Sequence, residues 1–196
     1  MPPSAPHHRD AKSRDIWLEA IDRPIVLVGL MGVGKTTVGK RLASRLGVRF
    51  VDADAEIEKA ADMSVADIFE RYGETGFRDG ERRVIARLLG DRPMVLATGG
   101  GAFMNEETRA LIKDKALAIW LDADIAVLAD RVGRRNTRPL LRGKDPHVVL
   151  SDLAAKRNPI YAEAHIHVTS NRSPHEEAVR AVLAAIAQWQ KDQGKP

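Results

Sequence analysis

The sequence predicts an α/β fold, a parallel five-stranded sheet flanked by helices with a mobile lid over one end. Three observations predict it. Short apolar runs alternate with longer helix-like stretches along the whole chain, the pattern of strand–helix–strand units. The apolar runs are unbroken, as expected of strands covered on both faces. Between the first run and the first helix-like stretch lies a complete G-x-x-x-x-G-K-[ST] loop, Gly29-Leu30-Met31-Gly32-Val33-Gly34-Lys35-Thr36.

Taken in chain order, the strand Ile25–Val28 precedes the loop and a helix over Lys35–Leu46 follows it. The strand Arg49–Val51 leads into helices over Ala53–Ala61 and Val65–Leu89, with Ser64 placed to cap the second. Met94–Ala97 is the third strand, Glu106–Lys113 the next helix and Ala116–Leu121 the fourth strand. Helices over Ile125–Arg131 and Val148–Ala164, the strand Ile166–Val168 and a helix over Glu176–Gln190 complete the set, Ser173-Pro174 marking the start of the last. Residues 1–20 read as a flexible extension, 21–190 as a single domain, about 131–147 as its lid and 189–196 as a frayed end.

The 196 residues supply material for one packed core, and 44% hydrophobic with 30% charged residues describe an ordinary globule. A net charge of +4 and a pI near 9.5 raise the possibility of nucleic acid. Against it, Lys and Arg are dispersed and aromatics are only 5%, too few for base-stacking platforms. A positively charged cleft for polyanionic substrates accounts for the balance instead. No apolar run approaches the roughly 20 residues of a membrane span. Met1 to Asp15 lacks a signal-peptide apolar core. The absence of Cys excludes disulfides, a thiolate nucleophile and Cys-based zinc. A cytoplasmic enzyme with neither nucleic-acid nor membrane partners is the expectation.

The chemistry starts at the loop. Its glycines let the backbone fold tightly so that N–H groups converge on an anion, and the following helix adds its positive dipole end. Lys35 reaches the outer phosphates of a nucleoside triphosphate, and the Thr36 hydroxyl is suited to Mg²⁺. Asp52 and Asp54 close the second strand; strand alternation would point both towards the cleft. One carboxylate there can approach Mg²⁺ and the other can take a hydroxyl proton, while helix capping by Asp54 is the plainer alternative. Arg78 is a candidate anion clamp, with Glu81 three residues on to orient it, unless the two form only a surface ion pair. Thr98-Gly99-Gly100-Gly101 follows the third strand, where glycines admit a close approach to the backbone. From Arg131 to Asp145 the chain is rich in Arg and helix breakers, including Arg134, Arg135, Arg138-Pro139-Leu140-Leu141 and Arg142-Gly143, as befits a lid that closes over a nucleotide.

Gly29 to Gly39, Asp52-x-Asp54, Phe77-Arg78 with Glu81, Gly99-Gly100-Gly101, Arg138-Pro139-Leu140-Leu141, and Arg157 before Pro159 and Tyr161 resemble, in this order and spacing, the shikimate kinase family. The resemblance runs from about Ile25 to Val182. It implies a P-loop fold like that of the nucleoside monophosphate kinases, transfer of the ATP γ-phosphate to the 3-hydroxyl of shikimate, and a place in aromatic amino-acid biosynthesis. It further implies that Gly32, Val33, Gly34, Lys35, Thr36 and Thr37 hold the phosphates, with Thr36 and Asp52 serving Mg²⁺. Asp54 would bind the shikimate hydroxyls and act as, or position, the base. Arg78 and Arg157 would clamp the carboxylate, with a backbone contact from Gly100. Arg138 would swing in from the lid as a catalytic cation, and Arg131 and Arg172 would line the adenine pocket. No interface is legible, so a monomer is the default. Two rival readings are another small-molecule kinase, such as one for gluconate, and a nucleotide-dependent switch; neither explains the paired carboxylates, triple glycine and separate arginines together.

Overall fold

The computed structural model describes residues 22–90, 92–133, 143–170 and 175–194. The expected extension over residues 1–20, Arg134, Arg135, Arg138 to Arg142, Arg172 and Ser173-Pro174 lie outside the described residues.

The elements run β1 (Ile25–Val28), α1 (Lys35–Leu46), β2 (Arg49–Asp52), α2 (Ala53–Ala61), α3 (Val65–Leu89), β3 (Met94–Ala97), α4 (Glu106–Lys115), β4 (Leu117–Asp122), α5 (Ile125–Gly133), α6 (Pro146–Tyr161), β5 (Ile166–Thr169) and α7 (His175–Asp192). A short 3₁₀ turn, Ala102–Met104, precedes α4. The five strands form one sheet in the order β2-β3-β1-β4-β5, every pairing parallel. Parallel neighbours need crossovers, and the helices supply them while covering the sheet faces.

β1 lies at the centre, and every residue of β1 and β3 is buried. The expectation that all strands are covered on both faces fails at the edges. Arg49 of β2 is exposed, and β5 alternates buried and exposed residues. An edge strand meets a neighbour on one side only, so Arg49 and His167 reach solvent without loss. The chain leaves β1 towards β2 on one side and crosses from β3 to β4 on the other. The crevice at such a switch point, beyond the carboxyl ends of the strands, is where α/β sheets hold ligands.

Local signals explain the helix starts. Ser64 caps α3 by accepting from the Asp67 N–H, as its position predicted. α6 begins at Pro146, two residues before the expected start, because Asp145 caps it through the His147 N–H and Pro146 suits the first turn. It ends at Tyr161 rather than Ala164. α3 is not uniform: Gly73 sits at φ 68, ψ −176, a left-handed value that breaks it into two helical parts.

Candidate active site

The loop after β1 wraps the amino end of α1. Gly34 precedes the helix at φ 97, and Gly32 also has a positive φ of 83. Both glycines turn the backbone so that successive N–H groups face one concavity. Lys35 Nζ donates to the carbonyls of Gly29 at 2.7 Å and Leu30 at 3.0 Å, which holds its ammonium at the mouth of the loop. A cavity of about 350 Å³ opens there, its lining including Gly32, Gly34, Lys35, Thr36, Thr37, Asp52, Asp54, Gly99, Gly100 and Arg131, together with Thr98 and His175. Val33 does not line the cavity; its side chain is buried in the core. Arg131 crosses from α5 to the carbonyls of Gly32 and Val33 at 3.5 and 3.4 Å.

Asp52 and Asp54 do meet in this cavity, but not by strand alternation. Asp52 ends β2 and caps α2, accepting from the Asp54 N–H at 3.1 Å. Asp54 is therefore in the first turn of α2 and is not itself the cap. The second oxygen of Asp52 accepts from the Thr36 hydroxyl at 3.1 Å. Adjacent oxygens on an octahedral Mg²⁺ lie about 3.0 Å apart, so this pair fits two neighbouring positions of that ion. Among the described residues no group of three or more His, Cys, Asp or Glu side chains gathers for a metal. The two oxygens of Thr36 and Asp52 suit a cation that keeps water and phosphate ligands.

Burial holds the Asp54 carboxyl above its ordinary range, and the Asp52 charge pushes the same way. Lys35 and Arg78 pull it down again. Asp54 therefore feels two cations, one from the phosphate loop and one from α3.

Arg78 and Arg157 do not line the cavity; they flank its glycine wall from opposite elements. Arg78 Nη1 donates to Glu81 at 2.6 Å, and Glu81 is only 1% exposed. The expected alternative of a surface ion pair is thereby excluded. Burial raises the Glu81 carboxyl, opposed by the adjacent Arg78, and its other oxygen, Oε1, has no hydrogen-bond partner among the described residues. Arg157 donates to the Gly100 carbonyl at 3.0 Å. Two of the three glycines, Gly99 and Gly101, have a steric reason. A Cβ on Gly99 would stand 3.0 Å from Asp54 Oδ1 and 3.3 Å from Glu81 Oε1. On Gly100 it would stand 3.4 Å from Arg157 Nη1, and on Gly101 it would collide with the Arg78 guanidinium. Glycine at 99 and 101 lets two carboxylates and the Arg78 guanidinium close on a single turn of backbone.

Sequence reasoning named no role for Thr98, Tyr161 or His175. Thr98 ties the turn to the centre of the sheet through its hydroxyl on the Leu27 carbonyl at 3.1 Å. Tyr161 donates to the Gly100 carbonyl beside Arg157. His175 enters the cavity wall from the start of α7, its imidazole kept below its ordinary range first by burial and then by the charges of Arg131 and Arg41. The Pro159–Tyr161 spacing hinted at Tyr161 and the glycine run at Thr98; nothing local marked His175. Arg138 and Arg172 lie outside the described residues.

Comparison with known proteins agrees with this geometry. The family model described as shikimate kinase matches residues 31–187. A shikimate kinase of Caulobacter vibrioides is 60% identical over 166 residues, which span 85% of this chain and 83% of that protein. The solved structure of a shikimate kinase from Acinetobacter baumannii in complex with shikimate superposes with a TM-score of 0.80 at 38% identity, covering 85% of this chain and 93% of that one. A gluconokinase from Sinorhizobium meliloti, 20% identical over 88% of this chain and 96% of its own with a TM-score of 0.56, shares the fold alone. Fold, site geometry and sequence likeness converge: the chain belongs to the shikimate kinase family.

Proposed function

We propose that the chain transfers the γ-phosphoryl group of ATP to the 3-hydroxyl of shikimate, with each site residue in a definite role. The observation that carries the assignment is Asp54, against the glycine wall that Arg157 also reaches and under the charges of both Lys35 and Arg78. Backbone N–H groups of Gly32, Val33, Gly34, Thr36 and Thr37 receive the phosphates, and Lys35 releases its two carbonyls to reach the transferring group. Arg131 borders the nucleotide end of the cavity, where Arg172 would join it. Thr36 and Asp52 would hold Mg²⁺, which when bound neutralises charge on the phosphate oxygens. Arg78 and Arg157 take the substrate carboxylate, and the Gly100 backbone borders it.

Asp54 binds the hydroxyl and accepts its proton as the oxygen attacks the γ-phosphorus. The bond from phosphorus to the β–γ bridging oxygen breaks, leaving ADP and shikimate 3-phosphate. Arg138 would add a cation from the lid. We assign the chain a monomeric state and the reaction to the cytoplasm. No described helix is long and apolar enough to cross a membrane.

ATP consumption with shikimate, with gluconate and with neither is the direct test. Strong stimulation by shikimate alone is expected; gluconate turnover without shikimate turnover would overturn the assignment, and slow hydrolysis indifferent to both would indicate a switch. Arg78→Lys and Arg157→Lys each keep a charge but lose the planar two-point contact. Each is expected to raise KM for shikimate about tenfold, the scale of one charge-assisted hydrogen bond, with KM for ATP little changed. Equal losses for both substrates would assign the arginines to the fold instead.

A further inference from the structure

Tyr161 ends α6 and is 1% exposed. Its hydroxyl donates to the Gly100 carbonyl at 2.5 Å, and Arg157, one helical turn earlier, donates to the same oxygen at 3.0 Å. A carbonyl has two lone pairs and can accept both. The phenol ring is held between Trp120 and Phe103, with centroids 6.0 and 6.5 Å away. Burial pushes the Tyr161 hydroxyl up to about 12, against the nearby Arg157, so it stays protonated as a donor.

The Gly100 carbonyl and the Gly101 N–H belong to one planar trans peptide and point in opposite directions. Between glycines that peptide has more rotational freedom than elsewhere, since no Cβ restricts either side. Holding the oxygen therefore sets the direction of the N–H. We propose that Tyr161 is a positioning residue for recognition of the substrate carboxylate. It pins the Gly100 carbonyl together with Arg157, and so orients both the Gly100–Gly101 peptide and the Arg157 guanidinium. Tyr161 itself touches no substrate atom. The inference rests on the reading of Arg78, Arg157 and Gly100 as the carboxylate site.

Tyr161→Phe removes one oxygen and leaves the ring stack. Loss of a hydrogen bond to a buried acceptor corresponds to about a tenfold change in equilibrium, which is the expected rise in KM for shikimate, with KM for ATP within about twofold. A merely structural role would raise both constants together, and an unchanged KM for shikimate would equally overturn the proposal. Combined with Arg157→Lys, the variant is expected to lose less than the product of the two single losses, because both act on one carbonyl; strict additivity would count against it. The parent chain is assayed in parallel: absence of shikimate-dependent turnover there would be failure of the functional reading, whereas failure of the Tyr161 inference appears only in the variant. A second measurement avoids the substitution. The chain has only two tyrosines, and Tyr72 is 55% exposed, so a Tyr72→Phe protein grown with 3-fluorotyrosine carries its label at position 161 alone. Its ¹⁹F resonance is expected to shift with shikimate and to stay with ADP; movement with neither, or equally with both, would overturn the inference.

Discussion

Lys35→Ala is expected to lower turnover by about a thousandfold while leaving the fold intact, the scale of losing one preorganised donor at developing charge. The ammonium hangs on two carbonyls of the loop, at 2.7 and 3.0 Å, outside the buried apolar core. Its stabilising effect is realised as charge develops on the transferring phosphoryl group, so the loss should appear in kcat more than in nucleotide binding. Steady-state kinetics beside a circular-dichroism melt would check this. A folded variant with near-normal kcat would remove the basis for the nucleotide assignment.

Asp54→Asn carries the next largest effect. An amide cannot accept the hydroxyl proton, so turnover is expected to fall by about 10²- to 10⁴-fold while ATP still binds. The raised Asp54 carboxyl gives the pH dependence its sign. A base must be ionised, so activity should fall as pH drops through a value above the ordinary carboxylate range, and that acid limb should vanish in the variant. Stability should move the other way. Burial disfavours the ionised form in the folded chain, so at neutral pH Asp54 opposes folding, and Asp54→Asn should raise Tm. Asp52→Asn separates the two carboxylates: its defect should diminish as Mg²⁺ is raised, through the pair it forms with Thr36. Identical Mg²⁺ responses from both variants would show that the roles are not divided as proposed.

Much of this was legible in the linear pattern because its causes are local. α1, α2 and α3 begin and end where the glycines, caps and apolar spacing place them, and the phosphate loop declares itself by its own residues. Legibility declined wherever the cause was a neighbour distant in sequence. Arg49 reads as part of a buried strand until the sheet order puts β2 at an edge. Asp54 was expected beside Asp52 on a strand, but Asp52 turns the backbone into α2 first, so the two converge from different elements. Burial of Glu81 depends on the glycine turn 18 residues later, and the contact of Tyr161 with Gly100 spans 61 residues. Spacing could place these residues near the site; only packing could say which oxygen each one holds.

The break at Gly73 gives the two parts of α3 unequal anchorage. Before it only Ile68 is buried, whereas beyond it Phe77, Glu81, Val84, Ile85, Leu88 and Leu89 all are. The free energy of opening follows the contacts a segment must surrender, so the two parts belong to different cooperative units. In native-state hydrogen exchange, amides of the outer part would exchange by fraying, and those around Ile85 only when the whole sheet comes apart. Arg78 stands on the tethered side, a little over one turn past the break. Breathing of the outer turns therefore leaves its guanidinium in register with the glycine wall, and the break adjoins Arg78 without carrying it.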